Sequence, residues 1–166
     1  NTSGKTLLMI SCQEKNESVV RKLLLYNANI HLEDRDGNTA LMYSLMGDYD
    51  KGRIPQLLIN LGARVAHKDK YGNTPLHWAV RSPSKYLFNI VLALIERGAD
   101  LNAIGSMGAP LHGVLDDRVC ELLLSRGAKM DLKAKIHVWG TPISPLEYWT
   151  MLGLNTRLRI AQRYSK

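Results

Sequence analysis

Apolar residues recur along this chain in two coupled slots. One slot is an apolar pair, two further residues, and then Asn-Ala or Gly-Ala. It reads Leu23-Leu24 before Asn27-Ala28, Leu58-Ile59 before Gly62-Ala63, Leu94-Ile95 before Gly98-Ala99, and Leu123-Leu124 before Gly127-Ala128. Val20 and Val91 extend two of these pairs to i, i+3, i+4 spacing, which is one face of a helix. Asn27, Gly62, Gly98 and Gly127 then stop the helix, because they accept a left-handed backbone. The other slot opens on a glycine at Gly4, Gly37, Gly72, Gly108 and Gly140, in steps of 33, 35, 36 and 32 residues. Close behind come Thr6, Thr39, Thr74 and Thr141, whose hydroxyls can cap helix N–H groups. Pro75, Pro110 and Pro142 follow in the first turn, where a missing N–H costs nothing. Leu8, Leu41, Leu76 and Leu111 are the first core residues of each unit. Each unit therefore predicts a turn, a short helix and a second helix.

Two signals in phase at a period of about 33 residues mark a stacked array. Gly72-Asn73-Thr74-Pro75-Leu76-His77, followed by Gly98-Ala99-Asp100-Leu101-Asn102-Ala103, resembles the ankyrin-repeat signature, and the chain is identified as a member of that family. The resemblance implies an all-α solenoid of about four repeats with a C-terminal helical cap, one domain over residues 1–166. The units are 1–33, 34–68, 69–104 and 105–133, with a divergent fifth at 134–166.

The units are uneven. From the threonine slot to the helix-ending residue, the first spans 21 residues (Thr6 to Asn27), the second 23 (Thr39 to Gly62), the third 24 (Thr74 to Gly98) and the fourth 18 (Ala109 to Gly127). The additions fall at 48–53 and 82–85, between helices. The fourth unit predicts a first helix of only a turn or two. The fifth keeps Gly140-Thr141-Pro142 and then two helical stretches at 145–151 and 155–164. Arg157, Arg159 and Arg163 are expected to cover the open end of the core. This irregular texture is similar to ankyrin domains of pathogen effectors and viral host-range proteins.

Composition adds bounds. The 166 residues are 45% hydrophobic with a single phenylalanine, Phe88, so the core must rely on Leu, Ile, Val and Ala. Cys12 and Cys120 lie in units that a linear stack keeps apart, which argues against a disulfide and for a reducing, intracellular setting such as cytoplasm, nucleus or host-cell cytoplasm. No apolar run reaches 18 residues, so no membrane span is expected. The start at Asn1 reads as an excised fragment. A net charge of +7 suits an acidic partner. The basic residues are scattered over Arg64, Lys68, Lys70, Lys129, Lys133, Lys135 and the last helix, which ranks nucleic acid below an acidic protein surface.

Catalytic and metal chemistry find no constellation. His77 and His112 fill the histidine position of the Thr-Pro-Leu-His slot, where the family resemblance gives imidazole a backbone-bonding role. His31 and His67 occupy equivalent turn positions without ligand spacing around them. The stretch Asp34-Arg35-Asp36-Gly37-Asn38 superficially suggests a calcium loop, but it lacks the distal glutamate and recurs as Asp69-Lys70-Tyr71-Gly72-Asn73. No cofactor and no enzymatic activity are expected.

The resemblance implies protein recognition by a monomer on the concave face, made of finger-like turns and first helices. The positions it transfers are Arg35, Asp36, Asn38, Lys68, Lys70, Tyr71, Trp78, Arg81, Met107 and Trp139, centred on Lys70, Tyr71, Trp78 and Arg81. Alternatives are a recruiting domain whose catalytic part lies elsewhere in a larger protein, and a basic nucleic-acid surface. Asn102, in Ala-Asp-Leu-Asn-Ala, resembles the finger sequence that an asparaginyl hydroxylase modifies in many ankyrin domains. Its expected structural role is hydrogen bonding within its own loop.

Overall fold

The computed structural model describes residues 2–47, 52–82, 86–131, 133–135 and 142–164. Helices α1 (Leu7–Gln13) and α2 (Glu17–Leu25) form the first pair, α3 (Ala40–Leu45) and α4 (Arg53–Asn60) the second, and α5 (Pro75–Val80) and α6 (Leu87–Glu96) the third. A single 3-10 turn, Pro110–Gly113, stands in for the first helix of the fourth unit and precedes α7 (Asp117–Ser125). The shortened spacing before Asp116 predicted this, and Asp116 caps α7 by accepting from the Arg118 N–H. Then come a two-residue ladder of β1 (Ala134–Lys135) and β2 (Pro142–Ile143), and helices α8 (Pro145–Met151) and α9 (Asn155–Arg163).

The first helices stack in one layer, α1 on α3, α3 on α5, α5 on the 3-10 turn and that turn on α8. The second helices form the other layer, α2 on α4, α4 on α6, α6 on α7 and α7 on α9. Each unit buries its apolar stripe only against its neighbours, so one continuous core runs from Leu8 to Ala161. The same slot holds Leu58, Leu94 and Leu123, each fully buried. Cys12 and Cys120 are free and buried, and burial pushes both thiols up to about 12.

Caps follow the threonine slot where it was expected at Thr6 and Thr39, whose hydroxyls accept from the Met9 and Met42 N–H groups. The fifth unit differs. Pro142 lies in β2, and α8 opens instead at Ser144-Pro145. Ser144 Oγ accepts from the Glu147 N–H and Glu147 Oε2 accepts from the Ser144 N–H, a reciprocal capping box. Pro142 is thus not in the first turn of a helix, while α8 keeps the expected bounds of 145–151, and Ser144 stands 35 residues after Ala109, which itself stands 35 after Thr74. The arginines of α9 also depart from expectation. Arg157 donates to Asp117 and to the Leu115 carbonyl, and Arg163 reaches Glu121. Both turn back onto α7 rather than out over the open end; Arg159 is exposed.

Candidate protein-binding face

The fingers are built by aspartates. Asp34 Oδ1 accepts from the N–H groups of Asp36 (2.9 Å) and Asn38 (2.8 Å), and Asp69 Oδ1 does the same for Tyr71 (2.9 Å) and Asn73 (2.8 Å). These carboxylates are spent on their own turns, as the repeat reading anticipated. Burial works against ionisation of Asp34, but hydrogen bonds from Tyr43, Asn38 and Asp36 outweigh it and hold the carboxyl below its ordinary value. Successive fingers are tied by main-chain bonds. Arg35 N–H donates to Ser3 O (3.1 Å), Lys70 N–H to Asp36 O (2.9 Å) and Ser106 N–H to Tyr71 O (2.8 Å). His67 Nε2 lies 2.8 Å from Gly37 O in the neighbouring finger.

Such close stacking requires glycine at its contact points. Gly72 has φ +80°, and a Cβ there would sit 3.0 Å from the Ile104 carbonyl oxygen and 3.2 Å from Gly105 Cα. His77 and His112 pin each first helix to the following turn. His77 Nδ1 accepts from the Thr74 N–H and its Nε2 meets Gly108 O; His112 repeats this with Ala109 and Ile143 O.

Between the second and third fingers opens a cleft of ≈ 480 Å³, lined by Tyr43, Met46, Tyr71, Trp78 and Met107 with Asn38, Asp69, Asn73 and Ser106 at its polar side. Of the sequence-predicted residues, Asn38, Tyr71, Trp78 and Met107 therefore share one cleft. Tyr71 is 55% exposed, and Lys70 Nζ lies 5.0 Å from its ring centroid while also pairing with Asp36. Arg35 and Lys68 are exposed on the same fingers. Asn38, expected on the surface, is buried, because its N–H and Nδ2 both turn to Asp34.

Arg81 does not join this group. It caps the end of α5, packs against Gly113, and lines a separate cleft of ≈ 330 Å³ with Tyr148, Leu152, Leu154 and Arg157. No motif pointed to that second cleft, since its aromatic and leucine lining comes from the divergent fifth unit. Trp139 lies outside the described residues, as do Thr141 and most of both inter-helix additions. The Asn102 N–H donates to Asp100 Oδ1 in its own loop (2.9 Å), but its side chain bonds across the repeat junction. Its Oδ1 accepts from the Lys129 N–H (2.8 Å) and its Nδ2 donates to Gly127 O (3.5 Å).

A model of ankyrin repeats in three copies matches residues 8–104, more than half of the chain. The chain belongs to the ankyrin-repeat family. Among similar proteins are the human transient receptor potential cation channel subfamily A member 1, 29% identical over 75% of this chain and 12% of its own length, and the tyrosine-protein kinase Shark of Drosophila melanogaster, 35% identical over 74% of this chain and 13% of its own. A putative ankyrin repeat protein of Fowlpox virus is 46% identical over 36% of this chain and 12% of its own length. The chain spans between 12% and 17% of the length of the first relatives it matches. Ankyrin repeats mediate protein–protein interaction and are typically non-catalytic. No helix among the described residues is long and apolar enough to cross a membrane.

Proposed function

We propose that this array is a non-enzymatic module that holds a partner protein on its concave face, at the fingers and first helices of the second to fourth units. The observation that carries this reading is the cleft at Tyr71, Trp78 and Met107, where aromatic and thioether surface stays open beside exposed Lys68 and Lys70. Tyrosine and tryptophan are the residue types on which interface energies concentrate. The flexible methionines let such a surface adapt to its ligand. Basic finger charges favour a partner with an acidic surface, which they would steer toward the strip.

Affinity capture with the purified domain, followed by titration of the captured protein, tests this. Tyr71→Ala is expected to weaken binding by about 2 kcal/mol while leaving the melting temperature nearly unchanged. Arg81→Ala, tested separately, reports whether the second cleft takes part. If neither variant changes affinity, the partner binds elsewhere. Two relatives are by name a channel and a kinase in which the matched segment is a small share of the whole. That proportion supports a second reading, in which the array recruits a partner for activity housed in another part of a larger protein.

A further inference from the structure

Two residues that line the concave cleft carry polar groups without partners, unlike their counterparts in the neighbouring units. Tyr43 and Trp78 occupy the same slot, four residues after Thr39 and Thr74. The Tyr43 hydroxyl donates to Asp34 Oδ2 at 2.5 Å. At the matched site Asp69 Oδ2 accepts from the Asn73 Nδ2 (3.1 Å), and Trp78 makes no bond to it. Its indole N–H is buried and unpartnered. Asn38 and Asn73 form the second matched pair. Asn73 Oδ1 accepts from the Met107 N–H of the next finger at 3.1 Å. For Asn38 the corresponding donor is the Tyr71 N–H, which is committed to Asp69 in its own turn. Asn38 is 8% exposed and its Oδ1 has no partner. A donor and an acceptor are thus left over, and both residues line the cleft that Met46, Tyr71 and Met107 make apolar. Unpaired polar groups of this kind are costly, and a complementary ligand recovers that cost.

We infer that the cleft reads the main chain of an extended partner segment. One segment carbonyl accepts from Trp78 Nε1–H, one segment N–H donates to Asn38 Oδ1, and an apolar side chain lies against Met46, Tyr71 and Met107. This rests on the concave-face reading and specifies its partner as a loop or tail with an apolar residue and free amides, rather than a folded charged surface alone. Trp149 supplies an internal control. Its indole N–H is also unpartnered, but Trp149 lines neither cleft, whereas the half-buried Trp78 forms part of the cleft wall.

The test is a nuclear magnetic resonance titration of the intact chain with N-acetyl-leucine N-methylamide, a capped single residue, expected to bind weakly because so few atoms make contact. The Trp78 indole proton is expected to move downfield and saturate while that of Trp149 stays still. Trp78→Phe keeps an aromatic surface but removes the donor, and is expected to weaken the probe about fivefold, the worth of one neutral hydrogen bond. An unshifted Trp149 indole and an unchanged melting temperature establish that this variant is folded. Propionamide, which offers an amide without the apolar side chain, is expected to produce no saturating shift. The inference is overturned if the leucine probe leaves the Trp78 indole unmoved, if Trp78→Phe binds it equally, or if propionamide matches it, since the cleft would then read a carboxamide side chain. Should Tyr71→Ala weaken a captured partner while Trp78→Phe does not, concave-face binding stands and only the main-chain inference fails.

Discussion

His77 Nε2 lies 2.8 Å from the Gly108 carbonyl oxygen, 31 residues downstream, while its Nδ1 accepts the Thr74 N–H at 3.0 Å. The Thr74 amide fixes the tautomer, because an Nδ1 that accepts leaves the ring proton on Nε2, which donates to Gly108. His112 has the same arrangement between Ala109 and Ile143. Both rings are neutral links between consecutive repeats. Burial is the largest influence on each and lowers their pKa below the ordinary 6.5, against the raising effect of the carbonyl bonds.

The sign of the pH dependence follows. Below 6.5 the unfolded chain binds protons that the folded histidines refuse, so stability falls with pH in that window and is flat above it. Thermal melts should show a melting temperature that drops from about pH 7.5 to pH 5, ahead of the carboxylate range. A His77→Gln, His112→Gln double variant should flatten that segment. A wild-type profile flat down to about pH 5 would contradict the neutral-link assignment.

Much of this was legible from the sequence. The paired slots carry the helix order and the shortened fourth unit, because those features are set by local spacing, and the structural role of the histidines comes from the family resemblance. What escaped depended on which neighbour a side chain meets. Asn38 was placed on the surface by its slot, yet Asp34 draws it inward. Pro142 resembles a first-turn proline but lies in β2, and the capping box sits at Ser144 and Glu147. Arg157 and Arg163 are expected over the open end of the core, but acidic residues of α7 hold them. The family resemblance puts Tyr71 and Arg81 on one strip, while the two side chains line different clefts.

Lys15 had no motif at all. It sits at φ 58°, and its Nζ donates to the carbonyls of Tyr43 (3.2 Å), Ser44 (2.9 Å) and Met46 (2.7 Å). These are terminal carbonyls of α3, which lack helical partners and carry the negative end of the helix dipole. Lys15→Met keeps the stem and removes the charge, and is expected to destabilise the fold by about 1–2 kcal/mol. Urea unfolding measures this, and a midpoint within error of wild type would mean that water replaces the ammonium without penalty.

Glycine replacements should separate backbone strain from finger packing. Gly98 has φ +86°, and a Cβ added there would meet no atom within 4 Å, so Gly98→Ala incurs only the left-handed penalty, about 1 kcal/mol. Gly72→Ala adds a clash with the Ile104 carbonyl and Gly105. Its cost should exceed that of Gly98→Ala by about 1 kcal/mol or more, as backbone cannot move aside as a side chain can. Equal costs in denaturant would show that the fingers separate readily.

Charge on the fingers offers the last discrimination. Lys68 is exposed, and Lys70 is paired with Asp36 on the neighbouring finger. Steering at a distance responds to the change in net charge, which is the same two units for Lys68→Glu and Lys70→Glu. Both variants should therefore slow association with an acidic partner by similar factors, leave dissociation nearly unchanged, and lose their effect at about 0.5 M salt, where screening shortens the reach of exposed charges. Only Lys70→Glu sets two carboxylates side by side, since Asp36 remains, so it alone should lower the melting temperature. Stopped-flow association rates at low and high salt, read beside thermal melts, test both halves. A partner whose dissociation rather than association responds to Lys68→Glu would be held by a direct contact at that residue, and the long-range steering assigned to the basic fingers would be wrong.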